Sequence, residues 1–270
     1  MHLSEKEKKR LQTNYGSWAL VTGASSGIGY ELAERLAEAG LNLLLTARSE
    51  EKLTEFAASL QSKYSTQAKV VVADMSTAIG IDTLIHASQD FEIGLIVVSA
   101  GFGTSGDFIT SALDDELAML QVNCTALLSL THHFAQRFKT QQRGGIVLLS
   151  SIVGFQGVPY AAHYAATKAY VQSLGEALAI ELKPQGIDVL TAAPGPVSSG
   201  FASRANMQMD QTLRTEDVGV PILRALGRKS TVLPGWLSKL LVGSLSILPR
   251  WGKVRMMSLV MGGMTKHQRI

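Results

Sequence analysis

Short apolar runs alternate with longer amphipathic segments along most of this 270-residue chain. Each run is almost continuously apolar, which is typical of strands buried on both faces of a parallel sheet. The intervening segments carry apolar residues at helical spacing, and such alternation predicts βαβ units with right-handed crossovers. The predicted strands are 18–22, 41–46, 69–73, 95–99, 145–150 and 187–192. The predicted helices are 29–39, 50–63, 79–87, 113–139, 160–183 and 215–226.

This order of elements predicts one α/β domain, a Rossmann-like, doubly wound parallel sheet with helices on both faces. A chain of this length suits one large domain and needs neither disulfides nor metals to bury an adequate core. The sequence divides into a polar lead-in at 1–16, a main domain at 17–232 and a basic, apolar extension at 233–270. The lead-in is either solvated or one short helix.

Composition excludes several classes of protein. Hydrophobic residues make up 46% of the chain and charged residues 17%, which excludes a disordered chain, a collagen and a coiled coil. The single cysteine, Cys124, excludes a disulfide framework and a multi-thiolate metal site, and no metal is expected. A reducing compartment is the simplest setting, so we expect a cytoplasmic protein. Residues 1–16 are not typical of a signal peptide, and 233–251 is not typical of a spanning helix.

A glycine-rich turn follows the first predicted strand. Its sequence is Thr-Gly-Ala-Ser-Ser-Gly-Ile-Gly at positions 22–29. The first glycine allows a tight turn, the second lets the backbone approach a pyrophosphate, and the third lets a helix pack closely on the strand. The N–H groups at the start of that helix are suited to bind phosphates. The flanking strand and helix favour a dinucleotide site over a plain β–α turn, with contacts from Gly23, Ser25, Ser26, Gly27, Ile28 and Gly29.

The end of the second strand bears on the choice of cofactor. Dinucleotide folds carry a carboxylate here to bind a ribose 2′-hydroxyl, or a cation to bind a 2′-phosphate. This chain has Arg48 and no Asp, so the sequence favours NADP(H) over NAD(H), unless Glu50 or Glu51 pairs with Arg48. Asp74, at the end of the third strand, either accepts a hydrogen bond from an adenine amino group or forms an Asx turn.

A serine, a tyrosine and a lysine form the candidate catalytic group. Tyr164 and Lys168 are four residues apart on a predicted helix and therefore share one face. We expect the nearby ammonium to lower the pKa of Tyr164, which then acts as an acid in ketone reduction or a base in alcohol oxidation. Ser151 ends the fifth strand, where its hydroxyl can hold the carbonyl oxygen. An isolated Tyr/Lys pair is often only packing, but the combination with Ser151 and the glycine turn favours catalysis.

In this combination and order, the motifs resemble those of the short-chain dehydrogenase/reductase family over about residues 17–226. The resemblance implies NAD(P)-dependent oxidoreductase chemistry in a dinucleotide-binding and catalytic main domain. It implies a catalytic triad of Ser151, Tyr164 and Lys168. It also implies that Asn123, as a fourth catalytic residue, bends its helix and holds a water on a proton relay to the lysine.

The resemblance implies further contacts and shows one departure. The family's Asn-Asn-Ala-Gly after the fourth strand is here Val98-Ser99 followed by Ala-Gly, so a bracing asparagine is missing and Ser99 can replace it only in part. Helices corresponding to 113–139 and 160–183 usually build the family's dimers and tetramers, so we expect a homodimer or homotetramer. The implied cofactor contacts are Ala100, Gly101, Asn123, Tyr164, Lys168, Pro194, Gly195, Val197 and Ser199.

The C-terminal segment is purely basic. Nine Lys and Arg residues and no Asp or Glu follow Asp217, whereas residues 1–217 hold 16 basic and 22 acidic residues. An apolar stripe at helical spacing runs from Trp236 to Leu248. Such a segment can lie on an anionic membrane, attract an acyl carrier or coenzyme A, or cover the pocket or a dimer contact. No nucleic-acid partner is expected, because the main domain is acidic.

Together these features predict an NADPH-dependent reductase that transfers a hydride to the carbonyl of an apolar ketone. A 3-oxoacyl thioester and a steroid-like ketone are the substrate classes that the sequence suggests. Two alternatives remain open: an NAD(P)+-dependent alcohol dehydrogenase acting in the reverse direction, and a dinucleotide-binding scaffold or sensor without turnover. The four catalytic residues argue against the scaffold, whereas the altered Val98-Ser99 pair favours it slightly.

Overall fold

Seven parallel strands form the central sheet of the protein, whose computed structural model describes residues 2–209 and 212–268. The sheet order is β3-β2-β1-β4-β5-β6-β9, and β7 pairs with β8 in a separate ribbon. The predicted doubly wound α/β fold is thereby confirmed. The strands are β1 (Trp18–Thr22), β2 (Asn42–Ala47), β3 (Ala68–Val72), β4 (Ile93–Val98), β5 (Gly144–Leu149), β6 (Ile187–Ala192), β7 (Val197–Ser198), β8 (Leu213–Arg214) and β9 (Thr231–Val232).

Helices connect the strands and cover the two faces of the sheet. Alternate residues of β1 show the two layers, because Ala19 and Val21 belong to one buried apolar cluster and Leu20 to another. The helices are α1 (Glu5–Tyr15), α2 (Gly27–Glu38), α3 (Glu50–Tyr64), α4 (Ala78–Ala87), α5 (Leu113–Leu120), α6 (Leu127–Gln141), α7 (Ala162–Glu181), α8 (Phe201–Arg204), α9 (Glu216–Ala225), α10 (Trp236–Ser246) and α11 (Arg250–Met264).

The strand order places a crevice where the sheet changes direction. The chain runs outward from β1 through β2 to β3, and then returns to place β4 on the other side of β1. In such sheets, ligands bind beyond the carboxyl ends of the strands that flank this reversal. The loops after β1 and β4 are therefore the expected borders of the functional site.

The long predicted helix at 113–139 is interrupted in the structure. A π-helical segment, Gln121–Ala126, separates α5 from α6 and contains Asn123. Such π segments occur frequently at functional sites. The predicted helix at 160–183 also begins later than expected, at Ala162, because Tyr160 adopts a left-handed backbone conformation with φ of +63°.

The N-terminal residues form a docked helix, the second of the two forms that the sequence left open. Leu11 and Tyr15 of α1 are buried in the core. The Tyr15 hydroxyl donates to Oδ2 of Asp188 at 2.9 Å, and Arg10 donates to the carbonyl oxygens of Leu223 and Leu226, both at 2.7 Å. These bonds tie the start of the chain to β6 and to the end of α9.

The C-terminal segment folds into α10 and α11, which pack over the crevice. Met257 and Met261 of α11 are buried in a third apolar cluster that also contains Tyr164. Within residues 2–209 and 212–268, no helix combines the length and the apolar character needed to cross a bilayer.

Candidate active site

The glycine turn between β1 and α2 lines a cavity of about 1520 Å³. Gly23 has a φ of +66°, a conformation that residues with side chains rarely adopt. A Cβ atom on Gly29 would lie only 2.4 Å from the carbonyl oxygen of Gly23, so glycine is required for this close approach of helix and strand. The Ser26 side chain caps none of the described N–H groups at the start of α2. These groups can therefore bind a phosphate.

The hydroxyl of Thr22 braces the loop that follows β4. Its Oγ1 accepts hydrogen bonds from the N–H groups of Ser99 at 3.0 Å and Ala100 at 2.9 Å. The Thr22 hydroxyl thus supplies a brace from β1, and the partial replacement of the missing asparagine by Ser99 stays a prediction. The Ala100-Gly101 backbone consequently stays at the edge of the cavity.

Arg48 and Asp74 lie at the ends of adjacent strands and line the same cavity. Among the described residues Arg48 is exposed and forms no ion pair with Glu50 or Glu51. Oδ1 of Asp74 accepts from the backbone N–H of Ser76 at 2.9 Å and from its hydroxyl at 2.8 Å, which is the Asx turn. Burial opposes ionisation of Asp74, but the Ser76 hydrogen bonds outweigh it and hold the pKa of this carboxyl below its usual value.

Ser151, Tyr164 and Lys168 meet at the floor of the cavity. Ser151 follows β5, and the other two residues lie in the first two turns of α7. All three side chains are buried, and the Ser151 hydroxyl interacts with the Tyr164 phenol and donates to the carbonyl oxygen of Pro194 at 3.4 Å. Nζ of Lys168 lies 5.8 Å from the centre of the Tyr164 ring and donates to the carbonyl oxygen of Leu149 at 2.8 Å.

The acidity of Tyr164 differs from the sequence-based expectation. Burial raises the pKa of Tyr164, and the hydrogen bond with Ser151 offsets only part of this rise. Burial also lowers the pKa of Lys168 to about 8, so its ammonium group remains charged at neutral pH. In this arrangement the pKa of Tyr164 is thus raised instead of lowered, and the effect of the Lys168 charge on the phenol stays a prediction. The phenol is neutral and retains the proton that an acid catalyst must donate.

Asn123 lies behind the cavity wall and ties two elements of the site together. Its Nδ2 donates to the carbonyl oxygen of Phe102 at 2.8 Å and to Oγ1 of Thr167 at 3.0 Å. Its Oδ1 accepts from the N–H of Phe102 at 3.1 Å. These bonds join the loop after β4 to α7, directly beside Lys168. Asn123 thus fixes the position of α7 relative to the loop after β4.

The wall opposite the glycine turn is apolar and is built mainly from the two C-terminal helices. The Phe201 ring of α8 lies 5.1 Å from the Tyr164 ring, and the Arg204 guanidinium lies 4.1 Å from the centre of the Phe102 ring. Of the roles that the sequence left open for the extension, the structure shows the covering of the pocket. The apolar residues from α10, α11 and their connection that line the cavity are Leu237, Leu241, Val242, Leu245, Leu248, Met256, Met257, Val260, Met261 and Met264.

The model of the short chain dehydrogenase family matches residues 17–210 of this chain. The protein belongs to the short-chain dehydrogenase family. It is therefore an NAD(P)-dependent oxidoreductase that acts on CH–OH or ketone groups, and the resemblance drawn from its motifs is confirmed.

Named relatives of this short-chain dehydrogenase include a hydroxysteroid dehydrogenase and a 3-oxoacyl-CoA reductase. A 7beta-hydroxysteroid dehydrogenase from Mediterraneibacter gnavus is 30% identical over 85% of this chain and 90% of its own. A very-long-chain 3-oxoacyl-CoA reductase from Ajellomyces capsulatus is 33% identical over 87% of this chain and 68% of its own. The solved structure of a short-chain dehydrogenase from Sphingobium yanoikuyae in complex with NADPH is 28% identical, with a TM-score of 0.78, and covers 87% of this chain and 97% of that one.

In this short-chain dehydrogenase, the cavity brings together the site residues proposed from the sequence, with Asn123 as the exception. Pro194, Gly195, Val197 and Ser199 line the cavity in the loop after β6, as do the residues of the glycine turn. Sequence reasoning missed Thr22, Phe201, Arg204 and Met207. Only Thr22 carried a usable signal, because a hydroxyl at the end of β1 can reach the neighbouring loop.

Proposed function

We propose that this short-chain dehydrogenase is an NADPH-dependent reductase of a bulky, apolar ketone. The observation that carries the proposal is the meeting of the Ser151–Tyr164 hydroxyl pair with the apolar wall of α10 and α11 in one cavity. A pocket with few polar groups in an apolar lining is typical of a site for an apolar ligand. The two hydroxyls supply the polar contact that a carbonyl oxygen needs.

A dinucleotide fits the residues on the other side of the cavity. The glycine turn leaves space that Cβ atoms would fill, and the start of α2 offers N–H groups for phosphates. Arg48 supports NADPH over NADH, because a guanidinium binds a 2′-phosphate through charge-assisted hydrogen bonds. Asp74 is directed to Ser76, so we assign it a role in shaping the adenine side of the cavity.

The catalytic residues divide the work of reduction. The cofactor, when bound, supplies a hydride from C4 of its nicotinamide to the carbonyl carbon. Tyr164 donates its proton to the carbonyl oxygen, and Ser151 holds that oxygen by a second hydrogen bond. Lys168 binds the nicotinamide ribose and carries positive charge toward the phenol as the proton leaves. Asn123 holds α7 in register with the loop after β4.

Two substrate classes fit the apolar wall, and the wall favours a compact, bulky one. A steroid-like ketone would place its rings between Phe201 and the methionines of α11. A long-chain 3-oxoacyl thioester is the second candidate, because the cavity also opens along α10 and α11. The relative named as a 7beta-hydroxysteroid dehydrogenase supports the steroid-like ketone, and the relative named as a very-long-chain 3-oxoacyl-CoA reductase supports the thioester.

The exposed apolar residues of α5 and α6 support a homodimer or homotetramer. Leu113, Leu117, Leu120 and Leu128 are large apolar residues that remain exposed in the monomer. Burying such a patch against a second copy would remove it from water. Light scattering on the purified protein measures the assembly.

Oxidation of NADPH with a panel of ketones tests the proposed reaction. The panel contains steroid ketones, long-chain 3-oxoacyl thioesters and small aliphatic ketones. The wild-type enzyme should reduce the bulky ketones, and Tyr164→Phe should lower kcat at least 100-fold while NADPH still binds. Tyr160→Phe is the matched control, because this nearby tyrosine lies outside the proposed catalytic group, and it should retain turnover.

The outcomes separate the proposal from its alternatives. Faster oxidation of alcohols with NAD+ or NADP+ would establish the reverse direction as the principal activity. NADPH binding without turnover of any substrate would favour the scaffold. Turnover that survives Tyr164→Phe would contradict the assigned mechanism.

A further inference from the structure

The outward face of α10 is apolar and exposed. Trp236 and Leu240 are four residues apart on one helical face, and Ile247, directly after the last residue of α10, continues that face at i+11. The exposed fraction is 67% for Trp236 and 84% for Ile247. The inward face of the same helix lines the cavity through Leu237, Leu241 and other residues. One helix therefore covers the pocket and presents an unpartnered apolar surface.

The outward face of α11 continues this surface and adds positive charge. Trp251, Arg255 and Leu259 are spaced four residues apart and are all exposed. We call the exposed apolar and basic residues of the two helices and their connection the C-terminal surface, which comprises Trp236, Lys239, Leu240, Ile247, Arg250, Trp251, Arg255 and Leu259.

Among the described residues, the cations of the C-terminal surface form no ion pair with an acidic side chain. No Asp or Glu occurs in the sequence after Asp217. Within residues 2–209 and 212–268, no ion pair involves Lys239, Arg250 or Arg255. The surface thus combines unneutralised charge with exposed indole and aliphatic groups, while residues 1–217 carry an excess of acidic side chains.

The cavity opens onto this same side of the molecule. Met256 and Val260 of α11 line the cavity, yet 44% and 42% of these residues are exposed. They adjoin Arg255 and Leu259 of the C-terminal surface in the sequence. A molecule entering between α10 and α11 would therefore pass directly from whatever covers this surface into the pocket.

We propose that the C-terminal surface binds an anionic lipid bilayer, from which an apolar substrate enters the cavity between α10 and α11. Tryptophans and aliphatic residues bounded by Lys and Arg match the boundary between acyl chains and anionic headgroups. An acidic carrier protein would pair with the cations and leave the apolar residues in water. A second copy placed on this surface would bring like charges together. The binding step stands on the surface alone, whereas substrate entry rests on the proposed function.

Flotation of the 270-residue protein with vesicles tests the binding. One vesicle preparation is phosphatidylcholine alone, and the other contains about one third phosphatidylserine. The wild-type protein should float with the anionic vesicles, and the bound fraction should fall as salt is added, because salt screens surface charge. Lys239→Glu, Arg250→Glu and Arg255→Glu combined should weaken binding more than tenfold, since each cation near such a surface contributes about fivefold.

A matched control changes the same number of charges elsewhere. Lys6, Lys9 and Lys139 are exposed and lie outside the C-terminal surface. Their combined substitution by Glu should leave flotation close to that of the wild type. Equal loss in both triple variants would mean only a general charge attraction, and would overturn the proposed surface.

A second variant tests the apolar part. Trp236→Ser with Trp251→Ser should reduce binding without removing charge, and circular dichroism would verify that the variant is folded. Anionic vesicles should shift the tryptophan emission of the wild type to the blue. In the variant, Trp18, which packs against Phe91 at 4.4 Å between ring centres, should show no shift.

Several results would overturn the inference. The wild-type protein could fail to float with anionic vesicles, or it could bind an acidic carrier protein more tightly than vesicles. It could also form a dimer that the charge-reversed triple variant no longer forms, which would assign the surface to a second copy. The rate of reduction of a water-soluble ketone, measured without vesicles, tests the proposed function independently of lipid binding. If flotation occurs without turnover, the proposed function fails and the lipid surface stands. If turnover occurs without flotation, the proposed function stands and the lipid surface fails.

Discussion

The two sides of the cavity are built from different kinds of contact. The side that contains the glycine turn, which we propose binds the cofactor and call the cofactor side, consists of backbone groups and short polar side chains held against the sheet, as in the bonds from Ser99 and Ala100 to Thr22. The other side, which we propose binds the substrate and call the substrate side, consists of long apolar side chains from two helices outside the sheet. Few backbone or buried polar bonds tie these helices to the main domain, among them Gly195 N–H to Ser238 Oγ at 2.8 Å.

This difference reflects what each side must recognise. A phosphate requires donors at defined positions, which a rigid turn supplies. An apolar substrate requires volume and exclusion of water, and methionine side chains can adapt to its shape. We therefore expect charge substitutions on the cofactor side to change cofactor affinity, and steric substitutions on the substrate side to change KM for bulky ketones. Loss of a hydrogen bond between the two sides should lower the stability of the fold.

Among the changes that compare the two sides, the largest effect should come from Arg48→Asp, which tests the cofactor side alone. The substitution removes a charge-assisted contact and places a carboxylate near the 2′-phosphate, so NADPH affinity should fall about 100-fold. NADH affinity should stay equal or rise, and fluorescence titration measures both. Lys69→Asp makes the same charge change at an exposed position on β3 and should alter neither. Retained NADPH preference in Arg48→Asp would place the cofactor discrimination elsewhere.

The pH dependence of reduction tests Lys168, at the junction of the two sides. Lys168 is charged below its lowered pKa of about 8 and neutral above it. In the free enzyme, kcat/KM for NADPH should be constant below about pH 8 and fall about tenfold per pH unit above it. Lys168→Met should be slow and lack this decline. A wild-type profile that stays flat to about pH 10 would show that the charge on Lys168 is not required.

A steric change tests the substrate side. Leu245 lines the cavity from α10, and Leu245→Trp would fill part of the space opposite Tyr164. KM for a bulky ketone should rise about tenfold, whereas kcat/KM for a small ketone should change little. Ile79→Trp enlarges an exposed side chain on α4 and should have no effect. Equal losses for small and bulky ketones would indicate a distorted catalytic group instead of a filled pocket.

The smallest effect should come from a tie between the two sides. Ser238→Ala leaves the N–H of Gly195 without its acceptor, at a cost of about 1 kcal/mol in the free energy of unfolding. Tm should fall by about 2–4 °C in a protein of this size, as scanning calorimetry measures. Ser246→Ala removes only an exposed bond to Gly243 of the same helix and should leave Tm unchanged. An equal fall in Tm in both variants would show that the hydrogen bond between Gly195 and Ser238 contributes no more to stability than the exposed one.

Sequence periodicity was informative wherever an element is long and buried. All six predicted strands are present, and each of their boundaries lies within two residues of the expected one. β7, β8 and β9 have two residues each, too short for any periodicity. The π segment Gln121–Ala126 could not be predicted within the helix expected at 113–139. A π turn contains one residue more than an α turn, and this single residue leaves the apolar pattern almost unchanged.

The sequence by itself determined the fold class and the glycine turn, and it predicted the catalytic group, because each depends on residue types at short, regular spacing. Only the tertiary structure decided that Thr22 braces the loop after β4, that burial raises the pKa of Tyr164, and that α10 and α11 form the apolar wall. The physical reason is shared by all three. Hydrogen-bond partners, desolvation and packing depend on which distant segments come into contact, and the local spacing of residues does not determine those contacts.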